Sequence, residues 1–175
     1  MTGDATTASL LDGATVSIRR LTPDDYDGVV ALAADLSEEE RYLRFFTAHP
    51  TYIGEWALSL TAPTGAVVAL GVFESGELVG VGNYTTLPKP GYAEIAVVVA
   101  HEQHERGVGT ALLLALGSIA RGAGLHHFVA DILARNHAIR EVVRDAGWPA
   151  TLRRDGPVLT MDVDLDEISD AGADA

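Results

Sequence analysis

Three apolar, β-branched runs follow one another with no helical segment between them: "AVVALGVFE", "ELVGVGNYTTL" and "GYAEIAVVVA". The chain then turns through "HERGVGTALLL" into a stretch of helical period. No other feature restricts the fold as much. The runs are separated by "SG" and "PKPG", which are turn signals, so they read as three consecutive antiparallel strands. A helix from about Gly107 to Ala123, closed by Gly122 and Gly124, comes next, and "HHFVADIL" reads as a strand after it. Strand, helix and strand in that order make one right-handed crossover, and the glycines sit where its helix begins.

The flanks complete a mixed α/β domain. "ATVSIRR", residues 14–20, alternates as a half-buried strand does. Thr22 with Pro23 and the acids behind them open a first helix, and Ser37 with Glu40 forms a capping box for a second, which runs through Arg41, Tyr42, Arg44 and Phe45. A third, short helix spans about 54–60 around Trp56. After the crossover come a helix from about Asn136 to Ala146, stopped by Gly147, and strands near 150–154 and 157–165 joined across Asp155-Gly156. The expected fold is a mostly antiparallel central sheet with a single β-α-β crossover. One domain covers 14–165; residues 1–13 are expected to be a poorly ordered extension and 166–175 a disordered acidic tail.

The net charge of −13 argues against nucleic acid and anionic membrane as partners and favours a cationic one. Without cysteine there is no disulfide framework, thiolate metal site or thiol nucleophile. The first residues lack the basic and apolar regions of a secretory signal, and a cytoplasmic protein is expected. Metal is not expected either: His101 and His104 stand in a loop while His126 and His127 start a strand, with no H-E-x-x-H pattern to gather them.

A glycine loop that opens a helix with bare N–H groups suits an anion, usually a phosphate. A nucleoside triphosphate loop needs a lysine after its last glycine, and here Thr110 and Ala111 follow Gly109. A dinucleotide fingerprint needs a third glycine where Leu112 stands, although Asp131 could imitate its ribose-binding acid. The segment "AEIAVVVAHEQHERGVGTALL" instead resembles the coenzyme A loop of the GNAT acetyltransferases, in which a strand, Gln/Arg-x-x-Gly-x-Gly/Ala and a helix follow one another. His104 stands where that family has Gln or Arg. Within the superfamily, "LSEEERYLRFF", "AEIAVVV" and "ARNHAIREVVRDAGW" resemble the bacterial protein lysine acetyltransferases.

This resemblance implies acetyl-coenzyme A as donor and a primary amine as acceptor, above all the ε-amine of a lysine-bearing protein. It implies that the pyrophosphate is held along His104, Glu105, Arg106, Gly107, Val108, Gly109 and Thr110. It further implies that the pantetheine arm meets backbone of Val97, Val98 and Val99 where their strand parts from its neighbour, and that Asn136 joins the donor site. A lysine with pKa about 10.4 is neutral in roughly one molecule in two thousand at pH 7, so a general base is useful. Glu94 is the one acid in an otherwise apolar strand, and the resemblance assigns it this role. Arg41, Tyr42, Arg44, Phe45 and Phe46 fall where the family borders its acceptor cleft. No tyrosine follows residue 92 to protonate a departing thiolate. Two further readings stay open: transfer to a small amine such as a polyamine, amino acid or antibiotic, and a non-catalytic acyl-coenzyme A sensor, which would not need Glu94.

Overall fold

The computed structural model describes residues 5–45 and 52–168. Eight strands form one sheet: β1 (Thr6–Ser9), β2 (Thr15–Arg20), β3 (Val67–Glu74), β4 (Glu77–Thr86), β5 (Tyr92–Val99), β6 (His127–Leu133), β7 (Ala150–Asp155) and β8 (Val158–Asp164). Their spatial order is β1-β2-β3-β4-β5-β6-β8-β7. Every pairing is antiparallel except that of β5 with β6. Among the described residues five α-helices accompany the sheet: α1 (Tyr26–Ala34), α2 (Glu38–Phe45), α3 (Ile53–Thr61), α4 (Val108–Gly122) and α5 (His137–Asp145). None of the described helices is long and apolar enough to cross a membrane.

Local chemistry accounts for the boundaries. Ser37 Oγ accepts from the Glu40 N–H at 3.1 Å and so starts α2. Asp25, gripped by Arg19 at 2.8 and 3.0 Å, accepts from the Thr22 N–H at 2.8 Å and fixes the turn into α1.

The strand β1 corrects the expectation of poor order at Thr6–Ser9. Thr6–Ser9 pairs in full register with Ile18–Thr15 of β2. "TTAS" shows no apolar alternation, so its backbone pairing leaves no trace in hydropathy; Leu10 behind it is buried in the core. Leu165–Glu167 similarly closes the domain with a 3-10 turn, and Asp166 pairs with His126 at 2.9 Å.

The sheet is sandwiched between two apolar layers. One holds α4 and α5 with Leu112, Leu113, Leu116, Phe128 and Trp148; the other holds α1 to α3 with Val29, Leu32, Phe45, Ala57 and Leu60. Helix α4 lies unusually low on β4, because a Cβ at Gly80 would come within 2.8 Å of Val108 and one at Gly82 within 3.0 Å of Leu116. Gly117 gives Trp148 the same latitude from the opposite side, since its Cβ would stand 2.7 Å from the indole ring. Gly117→Ala should therefore destabilise the fold by about 1–3 kcal/mol despite alanine's better helix propensity. Urea titration followed by tryptophan fluorescence checks this; a raised midpoint would show that the ring has room to move.

Candidate active site

The crossover leaves a gap in the sheet. β5 and β6 pair only through Tyr92, Ala93 and Glu94, opposite His127, Phe128 and Val129. Beyond that point β5 continues along β4 as far as Val99, while β6 continues along β8 as far as Leu133. The two strands diverge, and a cleft of about 1140 Å³ opens between them.

Strand parity decides which backbone groups face the cleft. Ala100 N–H donates to the Val79 carbonyl at 2.9 Å, so the even residues of β5 bond towards β4. Val97 and Val99 consequently direct their N–H and C=O groups to the edge that β6 has left. Val98 does not: its backbone belongs to the β4 ladder opposite Val81, and its side chain is buried in the α1–α3 layer. All three residues line the cleft, but only Val97 and Val99 direct their backbone to its open edge.

The glycine loop lies at the cleft's far end. Gly107 is the N-cap of α4 with φ 91°, a left-handed conformation in which a side chain is strained, and Glu105 has φ 66°. The first intrahelical bond is donated by Ala111 to Gly107 at 3.0 Å, so the N–H groups of Val108, Gly109 and Thr110 have no acceptor within α4. No side chain caps this end and no acid stands in its first turn, which leaves the positive pole of the helix uncompensated. Val108 itself is core, and Gly109 is needed for packing, because a Cβ there would meet Val142 at 3.1 Å.

Charged side chains of the loop are already engaged. Arg106 turns away from the cleft, pairing with Asp12 at 2.7 Å and Glu74 at 2.7 Å, which raises its pKa further and holds that of Asp12 below the usual carboxylate value. Arg106 can therefore offer an anion its N–H but not its guanidinium. His104 is bonded through Nε2 to the Val99 carbonyl at 3.1 Å, tying the loop to the end of β5. Asn136 caps α5 by accepting from the Ile139 N–H at 3.4 Å and borders the cleft. Asp131 accepts from Thr160 Oγ1 at 2.9 Å across the sheet. With antiparallel strands before it, the loop cannot be the opening turn of a dinucleotide fold.

Glu94 stands at the last paired position of β5, where the gap begins, and its exposed side chain borders the cleft together with Leu36, Glu40, Leu43 and Arg44 of the α2 region. Tyr42 lies instead under the Arg135 guanidinium, 4.8 Å from its ring, and Phe45 is core; Phe46 falls outside the described residues. α2 is held across the cleft by Glu39 with Arg135 at 3.2 Å and by Glu40 with His101. These two links were not legible beforehand, since their partners lie far apart in sequence.

The Glu40 carboxylate raises the pKa of His101 by accepting its hydrogen bond. A raised folded-state value means that the link contributes fully below the ordinary histidine pKa of about 6.5 and is lost as pH rises through the raised one. The difference in Tm between the wild type and His101→Gln should accordingly be largest in mild acid and shrink on going alkaline. A difference that grows with pH would disprove the linkage.

The sequence matches the Acetyltransferase (GNAT) family over residues 30–148. Among solved structures, the GNAT domain of PAT from S. lividans superposes with a TM-score of 0.82 at 26% identity, covering 91% of this chain and 96% of that one. The putative acetyltransferase yncA from Salmonella typhimurium, solved with acetyl-CoA, reaches 0.71 at 19% identity over 88% of this chain and 96% of its own. A cAMP-binding acyltransferase from Mycobacterium smegmatis reaches 0.65 at 22% identity; 98% of this chain is covered, but only 52% of that one. Among curated proteins no sequence matches. With the diverging strands, the uncapped glycine loop and a family match over more than half of its length, the chain belongs to the GNAT acetyltransferases.

Proposed function

We propose that the protein transfers the acetyl group of acetyl-coenzyme A to the ε-amine of a protein lysine, with Glu94 as general base. The observation that carries this reading is the place of Glu94: the carboxylate sits where β5 and β6 part, beside the backbone edge of Val97 and Val99. The pyrophosphate is received by N–H groups of Arg106 to Thr110, and the pantetheine arm runs along Val97 and Val99 as a substitute third strand. This brings the thioester to the level of Glu94. The acceptor ammonium enters from the α2 side, gives its proton to Glu94 directly or through water, and the freed nitrogen attacks the thioester carbonyl. The tetrahedral intermediate expels coenzyme A as the thiolate, and the second proton lost by the nitrogen passes through water to that sulfur, so that amide and free thiol are the products.

In the free protein Glu94 is solvated. Donor and acceptor together displace that water, so that the carboxylate meets the ammonium directly. Similarity to the PAT domain of S. lividans supports a protein acceptor. Incubation with labelled acetyl-coenzyme A and a cell lysate, followed by mass spectrometry, tests the whole reading. Label on protein lysines is the expected result; label confined to small molecules would reassign the acceptor, and none at all would refute transfer.

A further inference from the structure

Three buried polar atoms of α2 have no hydrogen-bond partner: Glu40 Oε2, Arg41 Nε and Arg44 Nε. Buried polar groups in folded proteins are almost always satisfied, so three on one short helix require a reason. Arg44 provides the clearest one because it lines the cleft together with Glu94. Its guanidinium rests 5.0 Å from the Phe45 ring centre and 5.9 Å from that of Trp56, an apolar seat.

No carboxylate of the described residues forms an ion pair with Arg44. The segment that follows, "FTAHPT" at 46–51, contains no acid that could do so. Burial presses the pKa of Arg44 downwards, against the opposing effects of Tyr52 and Glu94. A guanidinium nonetheless stays protonated in proteins. A cation kept in an apolar wall without a bonded counter-ion is unfavourable, and arginine is the residue best shaped to take a carboxylate through two parallel hydrogen bonds.

We propose that Arg44 binds a carboxylate carried by the acceptor, so that the amine chosen for acetylation is one that stands beside a carboxylate. The proposal rests on the transfer reaction above and narrows its acceptor. Glu94 meets the ammonium and Arg44 the anion a few bonds away; a polyamine offers Arg44 nothing. The carboxylate is either the α-carboxylate of the acceptor residue itself or the side chain of an Asp or Glu flanking a lysine.

Calorimetry on the coenzyme A-loaded protein separates these sources. One pair of titrants is Nα-acetyl-L-lysine and its methyl ester; the other is two lysine peptides that differ only in Asp against Asn next to the lysine. In the wild type the neutral member of one pair should bind at least tenfold more weakly, and the pair that shows this identifies the source. Arg44→Gln should abolish the difference and Arg44→Lys restore part of it. Equal binding within both pairs, failure of all four titrants to bind at millimolar concentration, or discrimination that survives in Arg44→Gln would each overturn the proposal. Arg44→Gln should also melt no earlier than the wild type, because it removes a desolvated charge; if it melts early, the wild type and Arg44→Lys decide. Since coenzyme A carries no acetyl group, binding is read without turnover. Discrimination in calorimetry with no product in a parallel acetyl-coenzyme A assay would count against the transfer reading alone.

Discussion

Replacing Glu94 by glutamine should lower turnover about 10²- to 10⁴-fold while leaving acetyl-coenzyme A affinity unchanged, the usual size of a general-base contribution. The amide is nearly isosteric and, at an exposed position of β5, should not disturb the sheet. What it loses is the ability to take a proton. The deficit should therefore shrink as pH climbs towards the amine pKa of about 10.4, where more acceptor arrives already neutral. Initial rates of both proteins across this range check it. A deficit of the same size at every pH would make Glu94 a positioning residue for the ammonium, and no deficit would leave it a surface charge on its strand.

Gly107→Val should weaken coenzyme A binding at least about tenfold, equivalent to about 1.4 kcal/mol. Gly107 holds φ 91° at the head of α4, a conformation that costs an L-residue about 1–2 kcal/mol. A branched side chain there would also press on Leu11, whose side chain stands 3.4 Å from where its Cβ would lie, and so disturb the loop proposed to receive the pyrophosphate. Gly109→Val is a poorer probe, because its Cβ would collide with Val142 and upset the packing of α4 against α5. Calorimetry with coenzyme A on a variant shown to be folded by circular dichroism makes the measurement. Unchanged affinity would remove the pyrophosphate from this loop.

The three consecutive antiparallel strands and the crossover are readable because β3, β4 and β5 are apolar runs with clear turn signals, and because the change of period at Gly107 is abrupt. The glycine loop was equally plain, since Gly107 and Gly109 precede an unbroken apolar helix. Other features could not be read. Strand β1 contributes backbone rather than apolar side chains, so "TTAS" carried no pattern. Which residues of β5 turn their backbone to the gap depends on the register towards β4, which a single strand does not reveal. The role of Arg106 in pairing with Asp12 and Glu74 was hidden because neither acid is near it in sequence. Arg44 was noticed as a border residue, but the want of a counter-ion, which turns it into a candidate for recognition, is a property of the packed fold alone.

The tip of the β1–β2 hairpin is stitched to the glycine loop, with Leu11 N–H donating to the Arg106 carbonyl at 3.0 Å and Asp12 gripping the same residue's side chain. Asp12 and Arg106 stand 94 residues apart, and β2 to β5 are made between them. The donor loop is therefore among the last regions to reach its final shape, and contacts of such wide sequence separation are the ones that form slowly. A proteolytic nick at the tip of the β1–β2 hairpin should consequently delay the arrival of coenzyme A binding during refolding more than it delays the return of secondary structure.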